Sequence, residues 1–189
     1  MAEDPSIEIT SLLKAIRDGQ PTAADRLYAQ VYVQLRQMAR RHMRGERRDH
    51  SLQPSDLIHE AFLRLVQDCE RDLNGRRHFF ALASTIMRRI LVDHARAKRA
   101  ARRDFNAAIA GALDHNTPDQ TIQIDQALER LARINDRQAR VVEMRFFGGL
   151  TEDEIAEVLG ITTRTVKRDW FMARAWLFGE LGGQPPNNT

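Results

Sequence analysis

The segment TEDEIAEVLGITTRTVKRDWFMARAWL, residues 151–177, contains the start and stop signals of two successive helices. Thr151 and Glu154 form the pattern in which an N-cap hydroxyl and the third helical residue satisfy each other's backbone donors. Glu152 and Asp153 place negative charge at the positive end of the same helix. Ile155, Ala156 and Leu159 supply its apolar face. Gly160 permits a left-handed residue for a sharp turn, Ile161 plugs the gap behind it, and Thr162 caps a second helix. In that helix Val166, Trp170, Ala173 and Leu177 recur at helical spacing and predict a buried seam. Its other faces carry Thr163, Arg164, Thr165, Lys167 and Arg168 near the N-terminal end. Helix-turn-helix proteins present such positions to base edges and phosphates in the major groove. A helical hairpin with no DNA role also pairs an acidic helix with a basic one. Ala156, Gly160 and Val166 favour the helix-turn-helix, because they fall where its close crossing, turn and core plug are required.

Outward from this segment the chain keeps a helical period and has no β-branched runs of period two, which predicts an all-α fold. Helices are expected at 7–18, ending before Gly19-Gln20-Pro21, and at 23–43, with Leu27, Val31, Leu35 and Met38 on one face. A turn at 51–55 leads to a helix over 56–67, capped by Ser55, whose stripe is Leu57, Ile58, Ala61, Phe62, Leu65 and Val66. A polar loop over 68–77 precedes a long helix at 78–103. Its first half holds Phe79, Leu82, Ala83, Ile86 and Ile90 as a core stripe, and its second half becomes HARAKRAARR. From 76 to 104 the chain carries nine arginines and lysines against Asp93 and Asp104, whereas 105–123 has no basic residue and contains Gly111, Asn116, Thr117 and Pro118. This change marks a boundary. Two small helical domains, 7–103 and 124–181, are expected, joined by an acidic linker at 104–123 and followed by a disordered tail at 182–189. Within the second domain, helices near 124–134 and 137–147 precede the segment quoted above.

Length and composition limit the functional classes. At 189 residues, with 42% hydrophobic and 29% charged residues, the chain is long enough for one or two small domains with real cores. No apolar run approaches the roughly 18 residues of a membrane span, and the N-terminal residues do not form a secretion signal, so a cytoplasmic location and no membrane partner are expected. The single cysteine, Cys69, cannot form an internal disulfide or a cysteine-based zinc site. Of 29 basic residues only Lys14, Lys98 and Lys167 are lysines. Arginine's planar fork suits phosphates and base edges, although codon composition also produces such a bias.

With these features in place, nearly the whole chain resembles a bacterial RNA polymerase sigma factor of the extracytoplasmic-function (ECF) group, with only sigma regions two and four. ARVVEMRFFGGLTEDEIAEVLGITTRTVKRDWFMARAWL is similar to region four, which in that family reads the minus-thirty-five promoter element. DLIHEAFLRLV resembles region 2.2, and the resemblance implies that Asp56, His59, Glu60 and Phe62 dock on core RNA polymerase. HFFALASTIMRRILVDHARAKR resembles regions 2.3 and 2.4, which melt and read the minus-ten element. The implied minus-ten contacts are Arg76, Arg77, Phe79, Phe80, Arg88, Arg89, Arg96, Lys98 and Arg99, and the loop at 68–77 would capture an unstacked base. Independently of the family, arginines at helical spacing can track phosphates and phenylalanines can stack on separated bases. The same residues also fit a solvated face with two core phenylalanines. Family members commonly have a tryptophan where this chain has Phe79 and Phe80. Asp169 stands where many relatives have a basic or neutral residue, and is expected to pair with Lys167 or Arg174 or to accept from a cytosine amine.

The resemblance implies core RNA polymerase and promoter DNA as partners, and neither cofactor nor metal; RTVKRDW followed by ARAWL resembles a sigma subgroup that often lacks an obvious neighbouring anti-sigma partner, which leaves open whether an anti-sigma factor or another regulator acts on the chain. A one-component transcriptional regulator would use the same helix-turn-helix with a sensing domain in place of 7–103, but an arginine-rich helix is unexpected in a sensor. An enzyme would draw on His50, His59, Glu60, Asp93 and His94. Their spacing matches no HExxH motif, and neither a Walker loop nor a nucleophile elbow is present, so no catalytic activity is expected.

Overall fold

Apolar residues at helical spacing build seven α-helices and one π-turn in the computed structural model, which describes residues 5–43, 52–67, 75–108 and 118–181. The helices are α1 (Pro5–Arg17), α2 (Ala23–His42), α3 (Pro54–Gln67), α4 (Arg76–Ala108), α5 (Pro118–Val142), α6 (Glu152–Leu159) and α7 (Thr163–Glu180). The π-turn, Glu143–Gly148, links α5 to α6. Among the described residues there is no strand, and no helix is long and apolar enough to cross a membrane. The expected tail at 182–189, most of the loop at 68–77 and the middle of the linker lie outside the described residues.

Helices α1 to α4 enclose one core. Leu27, Val31 and Leu35 of α2 meet Leu57, Ile58 and Leu65 of α3 and Phe79, Ala83 and Met87 of α4, all essentially inaccessible to water. The α3 start differs from expectation. Pro54 takes the first helical position, where its missing N–H costs nothing, and the Asp56 carboxylate accepts from the Gln53 backbone N–H at 2.9 Å. The helix therefore begins before Ser55, with Asp56 reaching back as its cap. Helix α4 continues to Ala108 and α5 begins at Pro118, so much of the linker expected at 104–123 is helical.

In the second half α5 is broken at Asn135, whose φ of −153° and ψ of 93° leave the helical region. Its side-chain oxygen accepts from the Gln138 N–H at 3.2 Å, capping the following turns and separating the two helices the periodicity predicts. Leu128, Leu131, Ala139, Val142, Phe147 and Ala173 form one small core, and Val141, Met144, Leu150, Ile155, Ala156 and Val166 a second. Trp170 packs against both. The π-turn closes when the Leu150 N–H donates to the Met144 carbonyl at 3.0 Å, and Gly149 adopts φ 68°, a conformation costly for residues with a Cβ.

Among the described residues the two halves are in contact. Helix α4 packs along α5, the π-turn and α6, and the end of α2 meets the π-turn. There the His42 ring stacks on Phe147, with centroids 5.0 Å apart and planes 20° from parallel, and Arg41 donates to the Gly148 carbonyl at 3.1 Å. His42 is buried, and its Nδ1 has no hydrogen-bond partner among the described residues. Burial, reinforced by the nearby Arg88 and Arg41 charges, lowers its pKa from 6.5 to about 3. Because the folded pKa is depressed, the unfolded or opened chain binds the proton more tightly, and stability falls as pH drops below 6.5. We expect the wild type to lose about 2 kcal/mol of stability between roughly pH 7.5 and 5 from this group. In chemical denaturation at the two pH values, His42→Gln will show a correspondingly flatter dependence; an unchanged pH slope contradicts the assignment.

Candidate nucleic-acid interface

The expected helix-turn-helix is present in detail. The Thr151 hydroxyl accepts from the Glu154 N–H, and the Glu154 carboxylate accepts from the Thr151 N–H at 2.8 Å, completing the capping box. Gly160 closes α6 at φ 63°, Ile161 packs against the neighbouring core, and the Thr162 hydroxyl accepts from the Thr165 N–H at 3.3 Å to start α7. Val166 and Ala173 are fully buried, with Trp170 and Leu177 half-buried beside them. Arg164, Lys167 and Arg168 are exposed on the first turns of α7, and Thr163 and Thr165 are half-buried. This half of the chain is thus a helix-turn-helix with an accessible, cationic second-helix terminus.

Carboxylates constrain that terminus. Glu152 pairs with Arg145 and lies 3.5 Å from Lys167, and the Arg145 hydrogen bond holds its carboxyl below the ordinary range. Arg145 in turn sits over the Trp170 ring, 4.9 Å from its centroid. Asp169 corrects the expectation of a pair with Lys167 or Arg174. It is only 2% exposed and accepts from Arg137 Nε at 2.6 Å and Nη2 at 3.3 Å, a two-pronged bond from the second segment of α5. Arg168 Nε approaches it at 3.8 Å. Asp169 faces the protein and orients α7 on α5, so it is no base contact in this arrangement. Its position in the apolar seam, three residues after Val166 and four before Ala173, is a sequence signal for burial that charge alone obscured.

The basic face of α4 is more occupied than its composition suggested. Arg88 is enclosed between Asp125, with which it pairs closely, and Glu143, whose carboxylate it reaches at 2.7 Å. Arg96 adds a second contact to Asp125 at 3.2 Å. Burial raises the Asp125 carboxyl pKa, and Arg88 acts against that rise. Arg77 pairs with Glu157 of α6, and Arg76 lies 5.1 Å from the centroid of the Phe80 ring. Arg89 is exposed and Lys98 half-buried, while the Arg99 side chain lies outside the described residues. Phe79 is 0% and Phe80 8% exposed, and their rings meet edge to face at 5.3 Å. Both belong to the first core, which corrects the expectation of an accessible stacking pair; apolar contact on α4's inner face outweighs exposure there.

On α3, Asp56 and His59 are exposed and Glu60 is half-buried, so these three share the outer face. Glu60 pairs with Arg64 one turn on, at 2.6 Å. Phe62 departs from the expected docking patch. It is 6% exposed and packs edge to face on Tyr28 at 4.9 Å, because it lies on the stripe with Ile58 and Leu65. The large apolar side chain exposed on this helix is Leu63.

The architecture defines an all-α protein whose two helical halves each carry a cationic surface, one of them on a helix-turn-helix. Residues 6–183 match the family model described as ECF sigma factor, and the chain belongs to that family. A stretch of 55 residues is 38% identical to the RNA polymerase sigma-G factor of Bacillus subtilis (strain 168), covering 29% of this chain and 21% of that relative's length. Among solved structures, CnrH in complex with the cytosolic domain of CnrY is similar at 22% identity over 93% of this chain and 97% of that one, with a TM-score of 0.44.

The Arg137–Asp169 pair makes a direct prediction. Arg137→Ala strands a buried carboxylate, whereas the exposed Arg140 on the same helix lacks this role. Differential scanning calorimetry will show a lower melting temperature for Arg137→Ala than for Arg140→Ala. Equal melting temperatures would remove the orienting role of the pair.

Proposed function

We propose that this chain binds core RNA polymerase and directs it to promoters by placing the N-terminal turns of α7 in the major groove of the minus-thirty-five element. The observation that carries this reading is the division of α7 into two faces. Val166, Asp169 and Ala173 are sequestered against the second half, and Arg164, Lys167 and Arg168 are left to solvent beside a capped helix start. Such a start combines positional precision with cationic donors for guanine edges and phosphates. The outer face of α3, with Asp56, His59 and Glu60, is the proposed dock for core polymerase. Asp56 has the additional task of capping its own helix. The basic face of α4, including Arg76, Arg77, Arg89, Arg96 and Lys98, is the proposed minus-ten surface, and promoter opening follows from its contacts. The chain acts by binding and positioning, and the phosphodiester chemistry belongs to the polymerase.

Reconstituted transcription with core polymerase and a promoter library tests the reading as a whole, and transcripts that depend on this chain are the expected result. Within that assay Arg164→Glu with Lys167→Glu will reduce promoter retention by about tenfold or more while leaving the helical content intact. Undiminished retention would take α7 out of the groove. On the other surface, His59→Ala with Glu60→Lys spares the Asp56 cap and is expected to abolish co-purification with core polymerase. Normal co-purification of that variant removes the α3 dock.

A further inference from the structure

We infer that Glu152 is a positioning residue for base reading: anchored from behind by Arg145, it holds the Lys167 ammonium off the DNA backbone, so that Lys167 discriminates between base pairs in the groove instead of binding any phosphate. The inference rests on the placement of α7 in the minus-thirty-five element proposed above and names a specificity determinant for it. Glu152 is the first residue of α6, and Lys167 lies on the exposed face of α7 beyond the tight turn. Their charged groups are 3.5 Å apart, with the Lys167 side chain 66% and the Glu152 side chain 27% exposed. An exposed ion pair alone contributes little, because two long side chains give up freedom for an attraction that water screens. This pair has a fixed end. Glu152 also accepts from Arg145, and the Arg145 guanidinium lies over the Trp170 ring, 4.9 Å from its centroid. Trp170 packs against both small cores of the second half. Arg145 itself belongs to the π-turn, which the Leu150-to-Met144 bond closes. The carboxylate is therefore tied to packed elements on one side and to a flexible ammonium on the other.

The placement matters because lysine is a point charge on a flexible stem. It meets phosphate oxygens as readily as the O6 and N7 of guanine, and phosphate contacts carry no sequence information. The first helix of a helix-turn-helix crosses the backbone while the second enters the groove, so carboxylates at the start of α6 face the strand that a free Lys167 would reach. Glu154 in that turn is committed to the Thr151 N–H and hydroxyl. Glu152 reaches across to α7 instead. Moving Lys167 onto a phosphate breaks its pair and leaves the carboxylate against the backbone charge. A guanine edge is met without that loss, since the ammonium has three donors and can keep one on Glu152. Binding is thereby weakened for every sequence, and most for the wrong ones. Arg164 and Arg168 remain exposed on the same turns for phosphate.

Two readouts test the pair and its role separately. In the full chain alone, carbon-13 NMR of the lysine ε-carbons has only Lys14, Lys98 and Lys167 to separate. Glu152→Gln is expected to move the Lys167 signal. Asp153→Asn removes the same charge from an exposed position in the same turn and is expected to leave that signal in place. Both variants retain the Thr151–Glu154 box, so α6 keeps its start. The second readout is selection by the holoenzyme, the chain with core polymerase, from promoters randomised through the minus-thirty-five element. Glu152→Gln is expected to lower discrimination by about fivefold or more at the base pair that Lys167 reads, and to hold disfavoured sequences more tightly than the wild type does. Asp153→Asn keeps the wild-type preference profile. In a Lys167→Met background Glu152→Gln changes the profile no further, because its effect passes through the ammonium.

A Lys167 signal that ignores Glu152→Gln overturns the pair, and an unchanged preference profile in that variant overturns the positioning role. Equal loss of discrimination in Asp153→Asn, or a further loss in the Lys167→Met background, reduces Glu152 to bulk charge and overturns the role likewise. A wild-type holoenzyme without base preference in this element, while the Lys167 signal still follows Glu152, removes the groove placement of α7 and the inference with it, and leaves the pair as a structural contact.

Discussion

A guanidinium removed from water is tolerated only where charge and hydrogen-bonding capacity are met together, and Arg88 imposes that condition on the whole molecule. Its partners come from different elements, Asp125 in α5 and Glu143 at the start of the π-turn, so both must be held against α4 at once. This demand fixes how α5 lies along α4. It also aligns the Gly148 carbonyl with Arg41 and the Phe147 ring with His42. The seam is polar at its centre and aromatic at its edge, whereas the core within α1 to α4 is built on apolar side chains such as Leu27, Leu57 and Phe79.

The helix-turn-helix solves a different problem, that of presenting a cationic helix end without letting it drift. Four devices hold it: the Thr151–Glu154 box, the left-handed Gly160, the Thr162 cap and the bond from Arg137 to Asp169. The first three are local and set where the helices begin and end. The last is long-range and sets the angle of α7 on α5. The charge of this acidic residue is thereby turned inward and neutralised by an arginine.

Much of this was legible beforehand. The all-α class, the helix-turn-helix between 151 and 177 and the division of α5 near Asn135 all follow from periodicity and capping, which depend on neighbours within four residues. Membership of the ECF sigma factor family was legible for the same reason, since its motifs lie on continuous stretches of chain. The aromatic assignments were less so. Phe62, Phe79 and Phe80 each occupy a stripe whose inward or outward orientation depends on what packs against it, and all three face the first core. The start of α3 departed from expectation because Pro54 and Asp56 together outcompete Ser55 as a helix opening.

By itself the sequence determined the elements, their caps and the residues with the chemistry to meet nucleic acid, because these are matters of spacing along one chain. Only the tertiary structure decided which of those residues are available. Asp125, Glu143 and Asp169 look like solvated acids in a linear text, yet each is turned against an arginine distant in the chain. Exposure is a property of what is brought alongside, and a charge acquires its partner only when the helices carrying both have packed.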